Sequence, residues 1–178
     1  LKQDPYALET AYVSVITFDS SARQAVPLTD LLSFQMPALT ASGTTSLGEA
    51  LTLTASSIAK EVQKTTADTK GDWRPLVFLM TDGSPNDDWR KGLNDFKAAR
   101  TGVVVACAAG HDADTSVLKE ITEIVVQLDT ADSSTIKAFF KWVSASISVG
   151  SQKVESSKKE VIGLEDLPPP PPEVNVVL

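Results

Sequence analysis

The stretch PLVFLMTDGSPNDDW, Pro75 to Trp89, constrains the fold more than any other part of the chain. Five apolar residues in a row, Leu76 to Met80, leave no polar face, so a strand here is covered on both sides. Such strands belong to parallel sheets, whose crossover connections place helices over both faces. Val103 to Ala108, VVVACA, repeats the pattern, and Ile124 to Leu128 gives a third strand. Helices fall around them. Ser46 to Val62 carries Leu47, Ala50, Leu51, Ile58 and Val62 near helical spacing, and Trp89 to Arg100 carries Leu93 and Phe96. A short helix is expected near Thr115 to Glu123. Ser133 to Ser148 reads as an amphipathic helix with Ile136, Phe139, Phe140, Val143 and Ile147 on one face.

The chain opens differently. Tyr12 to Phe18, YVSVITF, is rich in β-branched and aromatic residues, and Ala22 to Leu31 reads as a second strand with Pro27 marking an edge or a bulge. The turn Asp19-Ser20-Ser21 joins them into a hairpin. The prediction is a doubly wound, mostly parallel α/β domain over residues 1–149, with this hairpin giving an antiparallel strand at one edge. From Gly150 the composition turns charged and then to the prolines Pro168 to Pro172, so residues 150–178 read as a linker or tail with polyproline II character.

A net charge of −7 argues against nonspecific binding to nucleic acid and to anionic membranes. No apolar run approaches the ~20 residues of a membrane span. Cys107 is the only cysteine, which excludes an internal disulfide or a thiolate metal site and points to a reducing, cytoplasmic setting. Its apolar surroundings make it a small core residue. His111 is the only histidine, so no multi-histidine zinc site exists within the sequence. The chain does not open on methionine or on a basic leader, and residues upstream of Leu1 are expected.

The three carboxylates of the opening stretch have different readings. Ser84 can cap a helix with Pro85 at its first position, which puts Asp87 at the capping-box position and Asp88 in the first turn. Asp82 comes before that cap, at the carboxyl end of an apolar strand, where open α/β sheets bind ligands. Gly83 after it allows a sharp turn. A second candidate loop is LTASGTTSLGEAL, Leu39 to Leu51. One of the hydroxyls Thr44, Thr45 and Ser46 serves as a helix cap, and three in a row exceed what a cap needs. Hydroxyl and carboxylate oxygens are hard ligands suited to Mg²⁺, with water completing its octahedron.

Together GTTSLGEAL and VFLMTDGSP resemble loops of the von Willebrand factor type A domain, and ITFDSSARQAVPLT resembles its hairpin. The resemblance covers about residues 1–149. It implies a metal-ion-dependent adhesion site with Thr45 and Asp82 as metal-site residues, Asp82 acting through water. Thr44 is the fallback threonine, and Thr44, Ser46, Gly83 and Asp87 form a possible secondary set. The implied ion is Mg²⁺, with Ca²⁺ or Mn²⁺ as alternatives. Within the family, LKQDPYALETAYVSVITFDSSA and GDWRPLVFLMTDGSPNDDW resemble the TerY-like proteins of bacterial tellurite-resistance and stress operons. That resemblance implies a non-enzymatic adaptor working beside a protein phosphatase and a protein kinase.

One departure stands out. The family's third metal loop, D-x-S-x-S, is absent from the sequence: Asp19-Ser20-Ser21 is followed by Arg23, and Asp114-Thr115-Ser116 by Leu118. The family's first strand and helix carry that loop, so they are expected before Leu1 or from another chain, and the sequence as it stands supplies two loops of the three. Two competing functions follow. MTDGSPNDD also resembles the acidic loop of haloacid-dehalogenase-type phosphatases, but the nearest nucleophile motif, Asp112-Ala113-Asp114-Thr115-Ser116, lies after that loop instead of before it. A scaffold with a vestigial metal site is the other.

Overall fold

The computed structural model describes residues 5–40, 42–110, 113–157 and 167–177. His111 and Asp112 lie outside the described residues. The elements in chain order are α1 (Pro5–Thr10), β1 (Tyr12–Phe18), β2 (Ala22–Asp30), α2 (Leu47–Glu61), β3 (Val77–Thr81), α3 (Trp89–Ala98), β4 (Val104–Ala109), α4 (Thr115–Ile121), β5 (Val125–Leu128), α5 (Ser133–Ser157) and β6 (Val174–Val177).

The apolar runs form the main sheet, in the order β3-β4-β5-β6. β3, β4 and β5 are parallel, and β6 pairs antiparallel with β5. The pleat sends alternate residues of each strand to opposite faces. Ala106 and Ala108 of β4 pack with Leu51 of α2, Leu93 and Phe96 of α3 and Leu118 of α4. Val105 and Cys107 face the other way, onto Phe139 and Trp142 of α5. Helices thus cover both faces, the doubly wound arrangement. Burial pushes the Cys107 thiol up to about 12, the signature of an inert core residue. Asp132 opens α5: hydrogen bonds from the Ser134 and Thr130 hydroxyls and from the Thr135 and Ser134 amides hold its carboxyl well below the usual carboxylate range.

Two features correct the sequence reading. The hairpin is not an edge of the main sheet. β1 and β2 pair only with each other, and among the described residues no ladder joins β1 to β3. The hairpin is held instead from both sides. α2 packs on β1, on β2 and on α3, and Phe18 reaches the core beneath those helices. On the opposite side α1 packs on α5, and Ala7, Ala11, Leu31 and Val13 cluster with Ile147. Among the described residues the second edge of β1 and the outer edge of β3 have no strand partner. β3 shows the consequence, since Val77 to Met80 are only half-buried while Val105 to Ala108 of β4 are sealed.

The second correction concerns residues 150–178. α5 runs to Ser157, Leu167 is buried in the core under α5, and the antiparallel edge strand of the sheet is β6 from the far end of the chain. The indole Nε1–H of Trp142 donates to the Pro168 carbonyl at 2.7 Å, fastening the proline run to α5. Of this stretch, the end of α5 to Ser157 and residues 167–177 belong to the folded body and not to a free tail. Among the described residues no helix is long and apolar enough to cross a membrane.

Candidate functional site

Three turns meet at the carboxyl ends of β1 and β3. The Asp19–Ser21 turn closes on itself through Ser21 N–H to Asp19 Oδ1 at 3.2 Å. It also holds the loop that leads into α2: Ser46 N–H donates to the Asp19 carbonyl at 2.8 Å and Thr44 N–H to Ser20 Oγ at 3.3 Å. Gly43 makes this approach possible. Its φ is +90°, and a side chain there would run into Ser20 Oγ.

The loop after β3 then docks onto the same segment. Thr45 N–H donates to Asn86 Oδ1 at 2.7 Å, and Asn86 N–H returns a bond to the Thr45 carbonyl at 3.0 Å. This reciprocal pair fixes Thr45 against the loop. Gly83 lies so close to the Thr45 hydroxyl that a Cβ there would sit 3.0 Å from Oγ1. Gly83 N–H itself donates to Thr81 Oγ1 at 3.3 Å, which tightens the turn at the strand end. Asp82, between Thr81 and Gly83, is exposed and has no hydrogen-bond partner among the described residues.

Asp87 overturns the capping assignment. Ser84 is not the start of a helix: α3 begins at Trp89, with Asp88 at the cap position and no side-chain cap bond. The Asp87 carboxylate instead caps α2. It accepts from Gly48 N–H at 3.0 Å and from Glu49 N–H at 2.9 Å, two of the amides a helix start leaves unpaired. Ser46 occupies the cap position of α2 and makes no cap bond. None of the three hydroxyls of the 44–46 run therefore makes the expected cap bond.

Gly48 and Gly92 set the closeness of the two helices. A Cβ on Gly92 would fall 2.7 Å from Gly48 Cα and closer still to the Gly48 carbonyl oxygen. A Cβ on Gly48 would meet the Asp88 carbonyl and Trp89 Cα, both at 2.7 Å. α2 and α3 therefore cross backbone to backbone, directly behind the loops that carry Thr45 and Asp82. Arg90, one residue into α3, lies over the Trp89 ring at 4.5 Å and pairs on the surface with Glu120 at 3.5 Å.

The structure thus brings together Thr44, Thr45, Ser46, Asp82, Gly83 and Asp87, with different duties. Both Asp87 oxygens are engaged by amides, and Gly83 supplies room. Thr45 and Asp82 are the pair with hard oxygens beside an open edge. That donor chemistry fits Mg²⁺, which is commonly held by one or two carboxylates and several waters. Among the described residues no three acidic, cysteine or histidine side chains gather as a metal cluster. The other carboxylate motif resolves differently: Asp114 caps α4, accepting from the Ser116 amide at 2.9 Å and its hydroxyl at 2.6 Å. Asn86 and the Asp19 carbonyl, which tie the site together, were missed from sequence because their partners lie 41 and 27 residues away and no local pattern announces them.

A doubly wound sheet with hydroxyl and carboxylate loops converging beyond its strand ends defines a domain of the open α/β class. More particularly, the chain belongs to the von Willebrand factor type A domain family, whose family model matches residues 4–141. A search of curated proteins finds no match to the chain.

Proposed function

We propose that this protein is a non-enzymatic, metal-ion-dependent protein-binding adaptor, with Thr45 and Asp82 as its share of an adhesion-type Mg²⁺ site. The observation that carries the reading is the docking of the Thr45 loop onto the Asp82 loop through the Thr45–Asn86 pair, with the Thr45 hydroxyl against Gly83. Membership of a family whose domains often mediate metal-dependent protein interactions supports it. A bound divalent cation would supply positive charge and open coordination positions for an outside carboxylate. Thr45 and Asp82 would orient it, and Asp87 and Asn86 hold the two loops in register.

The remaining ligands come, in this proposal, from a strand that enters between β1 and β3 and ends in D-x-S-x-S. The second edge of β1 and the outer edge of β3 are unpaired among the described residues, and β3 is half-exposed. On the hairpin side Tyr12, Leu32 and Met36 stand 61–68% exposed, an apolar surface that an accompanying helix would cover. The finer reading places the protein in a cytoplasmic tellurite or metal-stress system, with a protein phosphatase and a protein kinase as partners. It rests on the resemblance of the longer phrases alone.

The test is a pulldown of such partners with the natural protein, in Mg²⁺ and in EDTA, comparing wild type with Thr45→Ala and Asp82→Ala. Capture that needs Mg²⁺ and drops at least tenfold in both variants supports the adaptor. Capture that survives EDTA and both substitutions replaces it with a metal-independent scaffold. Reading the gene upstream of Leu1 tests the strand; an upstream sequence without an apolar run ending in D-x-S-x-S rejects it.

A further inference from the structure

At the opposite end of β3 from Asp82 the chain builds a second recess. It lies where α2 and α3 end, under the loop that leads from Val62 to Leu76. This loop is longer than most connections within a compact domain, and loops of that length are usually either functional or unstructured. Here it is structured. Gln63 and Asp72 exchange bonds, Gln63 N–H to Asp72 Oδ2 at 2.8 Å and Asp72 N–H to the Gln63 carbonyl at 3.0 Å. Thr66 N–H bonds the Thr69 carbonyl, and Gly71 N–H bonds Thr65 Oγ1. Gly71 packs so tightly against the Gln63–Thr65 backbone that no side chain fits there.

The recess encloses about 150 Å³. Its walls include Ile58, Val62 and Trp73, and Lys64, Lys70, Arg74 and Arg100 line it as well. In a chain of net charge −7 these four cations share the recess with one carboxylate, Asp72, which is already bound into the loop. The cations are not required by the helix dipoles, because α2 and α3 carry Lys60 and Lys97 in their own last turns. Among the described residues none of the four forms an ion pair, and Lys70 Nζ rests 4.8 Å from the centre of the Trp73 ring.

We infer that this recess is a docking site for an acidic peptide segment of a partner protein, seating one aromatic or aliphatic side chain on Trp73 with carboxylates on either side paired to Lys70, Arg74, Lys64 and Arg100. The volume decides between a small molecule and an anchor. Small-molecule pockets run to about 300–1,000 Å³, whereas a space of roughly 150 Å³ holds one benzene-sized group. Charge decides the flanks: an excess of unpaired cations on an otherwise acidic protein selects carboxylates. β3 spans five residues, about 17 Å, between this recess and Asp82, so the two sites are separate and one partner can reach both or either.

The test uses the full chain in EDTA, so that a metal site contributes nothing, and a fluorescein-labelled peptide Glu-Asp-Phe-Glu-Asp read by anisotropy. Binding is expected to weaken at least tenfold in the Lys70→Glu/Arg74→Glu variant, and again in Arg100→Glu, which alters a different element. It is expected to weaken with rising NaCl and to be lost when the peptide's acids are replaced by Gln and Asn. Equal binding of wild type and both variants overturns the proposal, as does equal binding of the neutral peptide. Displacement of the peptide by a single-stranded oligonucleotide at the same concentration overturns its choice of a protein partner.

Discussion

Asp87 shows what a single residue's neighbours in sequence conceal. Within SPNDDW it satisfies the spacing of a capping box, yet its carboxylate serves a helix that begins forty residues earlier in the chain. Local spacing cannot separate these outcomes, since any helix start with free amides accepts the same carboxylate. The places of Asp82 and Thr45 in the fold were legible because their signals are positional: the end of an apolar strand, and a hydroxyl followed by glycine at a helix entry. Cys107 was legible as a core residue for the same reason, because an apolar strand surrounds it. Asp87→Ala removes two amide partners at once and is expected to destabilise the fold by about 1–2 kcal/mol. A shift of the urea midpoint at unchanged slope measures it, and Asp87→Asn, which keeps one acceptor oxygen, is expected to fall between the two.

At the scale of elements, the continuous apolar runs predicted β3, β4 and β5 within a residue or two, and the periodic segments predicted α2, α3, α4 and the start of α5. α5 was expected to end at Ser148 and continues to Ser157. β6 escaped notice because VNVV is only four residues long and follows five prolines, a composition that by itself reads as a spacer. Its strand state is imposed by the β5 edge it covers, with Val174 buried against that core. The crossing of α2 on α3 is also invisible to periodicity. Both glycines sit inside helices, where glycine is ordinarily a weakness, and only the backbone contact explains them. Gly92→Ala therefore forces the helices apart despite its better helix propensity. The expected loss is about 1–3 kcal/mol, measured as a lowered Tm, and a Tm at or above wild type would show that the crossing relaxes freely.

At the scale of the whole molecule the two sheets differ in how they are secured. Among the described residues β4 is laddered on both edges and sealed on both faces, while β1 is laddered on one edge alone. Opening free energies follow such differences. Native-state hydrogen exchange is expected to find the β4 amides protected to the limit of global unfolding and the β1 amides exchanging at least tenfold faster. Uniform protection across both would show that the hairpin and the main sheet open as one unit. The crossing of α2 on α3 bears on the loops in front of it. Gly48 against Gly92, Asp87 across the start of α2 and Asn86 clasped to Thr45 leave the two segments no independent travel. They behave as the two jaws of a clamp cast in one piece. The Asp82 turn is thereby tied to the first turn of α2, the helix whose far end lines the Trp73 recess.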